Sequence, residues 1–275
     1  MASSGHILRE NPVIGRLSKV NEYDSQSCCT YKGIAAKLMF FVLMVVVGIG
    51  ICFLMKTTHG FGSEAVYEQV LYKDSEPVVI YSIESIAIAV AGIVSVVSSL
   101  VATFARPTVP VTGSLFCASI GFTLAWLAMT FTDQYMAPVL LALIVTLMIV
   151  FTMGFLYGMG IVTVTAKMKT FIMTSMLTVC LGSLLMFILS FIPFTSGFVA
   201  SIMSNPVLSI GGSILMVIVG TLFLLVDFDR IKECVDNGLP KKYEWSAAYG
   251  LAFSVIWLYF KVLSLIMKII GKSRN

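Results

Sequence analysis

Charge is what this sequence has least of. Asp, Glu, Lys and Arg make up 12% of its 275 residues, against about 25% in an ordinary soluble domain. So few charges cannot cover the surface of a soluble enzyme of this length. A disordered chain is excluded too, because that state needs low hydrophobicity and high charge. The net charge of +4 is small and is not gathered on one long basic segment, which argues against nucleic-acid binding. Histidine occurs only as the isolated His6 and His59, so no bound zinc is expected. The six cysteines (Cys28, Cys29, Cys52, Cys117, Cys180 and Cys234) are spread over the chain and make no disulfide framework. Cys28-Cys29 could be a lipidation site, a weak metal site or a plain reduced pair. No nucleophile–base constellation, phosphate-binding glycine loop or metal-ligand motif appears, so neither an enzyme nor a resident cofactor is expected.

What the sequence has in abundance is apolar length: 58% of its residues are hydrophobic. About 20 mostly apolar residues cross a hydrocarbon core as a helix. Seven such stretches are read: Leu38–Met55, Val78–Phe104, Val111–Phe131, Ala137–Val162, Thr170–Ile192, Val207–Val226 and Ser246–Ile270. They are apolar all round, as lipid-facing helices are, and nothing alternates as a membrane β-strand would. The organisation expected is a polar segment 1–37, a membrane domain 38–270 and a short tail 271–275. The first 37 residues lack an apolar signal core, so the first span is expected to act as an anchor. Lys and Arg concentrate in the N-terminal segment and the even-numbered connections, among them Arg106, Lys167, Lys169, Arg230, Lys232, Lys241 and Lys242. The positive-inside rule then puts the N-terminus in the cytoplasm. Seven full crossings leave Lys268, Lys272 and Arg274 outside, against that rule. Either the tail is outside or the last span is re-entrant.

Charge at membrane depth is expensive and marks function by default. Glu84 lies about two turns inside the second span, as a mouth carboxylate or an interfacial residue. Asp227 and Asp229 end the sixth apolar run, where a helix C-terminus disfavours acids. Lys261 sits inside the last span and is expected to pair with an acid or face a wet crevice. Small residues at Ala87, Ala91, Ser95 and Ser99, and the Gly154/Gly158 pair, read as helix-packing faces, with a small-residue pore lining or hinge as the functional alternative. Broken helices in paired mid-span positions, which a solute transporter would need, are not seen.

The run "DFDRIKECVDNGLPKKYEWSAAYGLAFSVIWLYFKVLSL" resembles the Bax inhibitor-1 (transmembrane Bax-inhibitor-motif) family, nearest its bacterial YccA-like branch. The segment "QYMAPVLLALIVTLMIVFTMGFLYGMGIVTVTAKMK" and the N-terminal "TYKGIAAK" are similar to the family as well. The resemblance implies seven membrane helices, six around a more central seventh, in a multi-pass protein of the plasma (inner) membrane. It also implies a pH-sensitive calcium leak channel, with Ca²⁺ or protons as the species handled. The family's gate is an aspartate pair on the sixth and seventh helices with a latching arginine from the second. Asp227 matches the sixth-helix acid and Arg106 the arginine, with Asp229 a neighbour and Ca²⁺ in transit at Asp227. The seventh-helix acid is missing: Lys261 follows "LYF" at the matching place, and Ser254, two turns earlier, is the fallback. Two close carboxylates cannot both ionise cheaply, so a pair senses pH near neutrality. One acid alone predicts a weaker or shifted response. The resemblance also admits a different class, a non-conducting regulator of a membrane-anchored quality-control protease, with residues 1–37 as its handle.

Overall fold

The structure, a computed structural model, describes residues 28–57, 65–69, 78–130, 132–190 and 205–273. Its elements are α1 (Tyr31–Thr57), β1 (Ala65–Gln69), β2 (Val78–Tyr81), α2 (Ser82–Phe104), a 3₁₀ turn (Arg106–Thr108), α3 (Val109–Thr130), α4 (Thr132–Gly158), α5 (Ala166–Ser190), α6 (Pro206–Asp236) and α7 (Tyr243–Ser273). Each expected span falls on one of these helices, because only an intra-segment hydrogen-bond ladder satisfies the backbone in lipid. Six of them are long and apolar enough to cross a membrane; α5, where the fifth span was expected, is not among the six. Phe104, Phe151 and Val207 are 85%, 74% and 73% exposed. Large apolar side chains turned outward in this way suit lipid and would aggregate in water. The chain is an all-α membrane protein with one small hairpin.

That hairpin corrects the second span. Val78–Tyr81 pairs antiparallel with Ala65–Gln69, with Gln69 opposite Val78 and Glu68 opposite Val79. The run of β-branched residues Val78, Val79 and Ile80 favours a strand, and the helix begins only at Ser82. The sixth helix is also longer than its apolar run. Asn205 caps it, accepting from Val207 N–H at 3.1 Å, with Pro206 in the first turn. It continues through Asp227 and Asp229 to Asp236, so neither acid stands at a helix C-terminus. The end comes at Gly238, whose φ of +58° an L side chain would resist. There Gly238 N–H donates to Val235 O and Leu239 N–H to Cys234 O, a Schellman ending.

Helix α7 is unbroken, and Lys268 near its end donates to Ser209 O at 3.2 Å and Ser213 Oγ at 2.7 Å in the first turns of α6. The last helix therefore runs alongside α6 for nearly its full length. Helix α7 packs chiefly against α1, α3, α4 and α6, while α2 leans on α3 and α5 on α6. Among the described residues these four helices make the main contacts of the seventh. One core joins α1, α3 and α7 through Phe41, Phe116 and Tyr249, with ring centroids 5.9 Å apart. A second joins α4, α6 and α7 through Ala142, Leu224 and Leu258.

Helix approach uses other glycines than those expected. Gly48 on α1 and Gly121 on α3 face each other so closely that a Cβ on either would overlap the partner backbone, at Ala118 O and Val45 O. Gly154 meets only the ring of Phe228, and Gly158 faces open space, so that pair makes no close helix contact. Of the small-residue face expected on α2, Ala91 is buried while Ala87, Ser95 and Ser99 are half-buried; the other buried small residues of that helix are Ser98 and Ala102. Ser95 and Ser99 spend their hydroxyls on their own helix, donating to Gly92 O and Val96 O.

Cys29 is buried, and its Sγ donates to Pro240 O at 3.3 Å. Burial pushes its thiol up to about 11, helped by Cys234 and Glu244 nearby. At about pH 8 only roughly a thousandth of it is thiolate, the reactive form. Alkylation of Cys29 in the folded protein is expected to run at least about a hundredfold slower than that of an unhindered thiol. Peptide mass spectrometry after timed labelling, native against denatured, reads this directly; fast native labelling would contradict it.

Candidate functional site

Helices α6 and α7, with the end of α2, the start of α3 and the turn between them, meet around a cavity of about 600 Å³ at the end of the bundle where α2 finishes and α7 begins. Helix α6 contributes Asp227 and Arg230, α7 contributes Tyr249, Gly250 and Ser254, and the 3₁₀ turn after α2 contributes Arg106. Helical phase explains the grouping. Asp227 and Arg230 are three residues apart on α6, and Gly250 and Ser254 four apart on α7, so each pair shares a face.

Asp227 is 2% exposed. Its Oδ1 lies 3.5 Å from Arg230 Nη1, a long contact, and its Oδ2 has no hydrogen-bond partner. The buried Ser254 hydroxyl stands beside the carboxylate, within reach of a hydrogen bond to it but without the geometry of a well-formed one. Tyr249 adds another buried, unpartnered oxygen to the same cavity wall. Gly250 faces this pair across the helix contact: a Cβ there would stand 3.9 Å from both Asp227 Oδ1 and Arg230 Nη1, an ordinary contact. Buried polar groups are normally satisfied. An unpartnered carboxylate oxygen and a loosely held hydroxyl beside one roomy space mark a place for water, a proton or a cation.

Of the residues singled out in the sequence, the fold gathers Asp227, Arg106 and Ser254 and separates the rest. Arg106 borders the cavity but makes no ion pair among the described residues; the guanidinium on Asp227 is that of Arg230. Asp229, two residues on, points to another face, because two positions turn a helix by about 200°. It accepts from Tyr157 Oη at 3.1 Å and pairs with Lys169 at 3.3 Å, and Lys169 also holds Glu233 at 2.8 Å. That cluster ties α4 and α5 to α6. Lys261 is not in the cavity wall. It lies two turns beyond Ser254, about 10 Å along α7, with Nζ 5.1 Å over the Trp257 ring. The expected acidic partner is absent among the described residues, and the aromatic face takes its place.

Glu84 belongs to the opposite end of α2, about 30 Å away. It pairs with Lys56 at 3.9 Å, and Lys56 Nζ donates to Thr130 Oγ1 at 2.8 Å. The space beside it is about 10 Å³, no more than one water fills. Glu84 thus has one oxygen in a long ion pair and the other, Oε2, buried without a hydrogen-bond partner, beside almost no free space.

Sequence reasoning missed Tyr249, Gly250 and the Arg230 contact. The Asp227/Arg230 spacing was a usable signal once α6 was known to continue. Nothing local marks Tyr249.

The family model described as Bax inhibitor 1 like matches residues 11–271. The chain belongs to this family. No curated protein and no solved structure matches it.

Proposed function

We propose that this Bax inhibitor 1 like membrane protein is a leak pathway for cations, Ca²⁺ first among them, with the Asp227 cavity as its gate. The observation that carries this is an under-satisfied acid: a carboxylate 2% exposed, with one oxygen unpartnered, facing a cavity of about 600 Å³. Burying a charge is costly unless it is well paired, and the one ion pair of Asp227 is the 3.5 Å contact to the half-exposed Arg230. A cation or proton arriving at Oδ2 gains what the fold leaves unmet, and Arg230 is then released. Ca²⁺ takes six to eight oxygens. Asp227, the Ser254 and Tyr249 hydroxyls and water would supply them, which suits an ion in transit. The excess of Lys and Arg makes this the cytoplasmic end, in the plasma (inner) membrane.

The test is Ca²⁺ flux by purified protein in liposomes. Asp227→Asn keeps the shape and removes the charge. It is expected to lower flux about tenfold, the loss of roughly one charge-assisted contact. A wild-type protein that carries no cation ends the channel reading.

A second reading has its own support. Residues 28–30 are hydrogen-bonded to the α6–α7 connection and the first turn of α7, beside the cavity rim. Residues 1–27 themselves lie outside the described residues. A partner such as a membrane-anchored quality-control protease could act through that handle. Deleting residues 1–27 separates the readings: lost partner binding with unchanged flux favours regulation.

A further inference from the structure

The N-terminal end of the described chain is fastened across the bundle. Cys28 pairs with Pro240 in an antiparallel bridge. Cys29 N–H donates to Leu239 O at 2.7 Å. Thr30 N–H donates to Glu244 Oε1 at 2.9 Å, and its hydroxyl to the same oxygen at 3.3 Å. Glu244, in the first turn of α7, is fully buried, and its other oxygen pairs with Lys37 of α1. Every partner of this carboxylate thus comes from the strap 28–30 and the first turns of α1. The same α6–α7 connection supplies Asn237 and Leu239, and the start of α7 Tyr243, to the cavity wall. One short stretch of chain is therefore cavity wall on one side and strap-bound on the other.

We infer that residues 28–30 are a strap that sets how far the α6–α7 connection stands from the cavity, and that the Lys37–Glu244 ion pair is its latch. Releasing the latch widens the cavity mouth at this end. The latch is not required to hold α1 on α7, because Phe41 packs edge-on against Trp245 and Tyr249 at 5.9 Å. It is a two-position device rather than a graded one. A buried ion pair is stable when complete and strongly unfavourable when one partner leaves, so strap and connection move together or not at all. Gly33 belongs to the latch as well: a Cβ there would overlap the Glu244 carboxylate. Its absence lets α1 begin where Thr30 Oγ1 accepts from Gly33 N–H at 3.0 Å.

Cys234 reports on the mouth, since it lines the cavity and is 8% exposed. The experiment uses the full chain in liposomes with Cys234 as its one cysteine, Cys29→Ser keeping a donor for Pro240. The rate of Cys234 modification by a small water-soluble thiosulfonate is then measured. Glu244→Gln and Gly33→Ala are each expected to raise that rate about tenfold, as the loss of one charge-assisted contact would. Lys268→Met, at the far end of α7, leaves it unchanged. Unchanged rates in folded Glu244→Gln and Gly33→Ala, or an equal rise in Lys268→Met, overturn the strap. In the unaltered chain, hydrogen exchange gives an independent answer. Cys29, Thr30 and Leu239 amides should exchange at one shared rate, and a connection that opens while the strap stays protected overturns it. Only a flux arm would rest on the conduction reading. Faster labelling with no added ion leak would count against conduction and leave the strap standing.

Discussion

Ser254→Asp is expected to give this protein a steep pH response that the unaltered chain lacks. In liposomes its Ca²⁺ flux should change about tenfold or more between roughly pH 6 and 8, where a shared carboxyl proton titrates. The unaltered protein should change far less over the same range. The reason is geometric. Ser254 stands beside the buried Asp227 carboxylate, and both line one cavity. A second carboxylate there cannot ionise cheaply beside the first, so the pair keeps one proton until the solution is nearly neutral. Losing that proton leaves two like charges that must separate or recruit a cation, and the gate moves with it. The cavity has room for the larger side chain. Lys261→Asp is the control. Its site lies two turns away over Trp257 and outside the cavity wall, so it should add no such response. A flat Ser254→Asp beside a steep Lys261→Asp would show that the acid of the family's seventh helix belongs at 261.

That contrast also marks what the sequence could say about the site. Apolar run length locates each of the seven described helices, because the bilayer sets the scale and the backbone leaves no other solution. It hides what is short or mixed. Val78–Tyr81 reads as the start of a span because four β-branched or aromatic residues are equally at home in lipid and in a strand. The last ten residues of α6 look like a loop because charge begins at Asp227, yet they form an amphipathic continuation. Asp227, Arg230 and Cys234 face the cavity, while Asp229 and Glu233 meet Lys169. Helix phase, unreadable until the helix is known to continue, separates Asp227 from Asp229. Glu244 and Lys37 are 207 residues apart in the chain. No local pattern announces such a pair, and the long-range fold alone makes it.

The same lesson holds for packing and leads to the largest expected loss of stability. Gly121→Ala and Gly48→Ala should each unfold the protein at markedly lower temperature. In lipid there is little hydrophobic force between helices, and association depends on how closely backbones approach. Gly48 and Gly121 give α1 and α3 that approach from both sides. A Cβ on Gly48 would overlap Ala118 O and stand 2.9 Å from Phe122 N, and one on Gly121 would overlap Val45 O. The obstructing atoms are backbone, so no rotamer change relieves the overlap and the helices must part along their length. Overpacking of this kind costs about 1–3 kcal/mol or more. For a chain of this size that is roughly 2–12 °C in Tm. The two sites share one contact, so the double variant should lose less than the sum. Gly50→Ala and Gly92→Ala supply the contrast, since a Cβ at either meets nothing within 4 Å. There alanine is the better helix former by about 1 kcal/mol, and Tm should hold or rise. Thermal unfolding in detergent, followed by circular dichroism, separates the four variants. If Gly121→Ala proved as stable as Gly50→Ala, the α1–α3 contact would not be the seam on which the bundle depends.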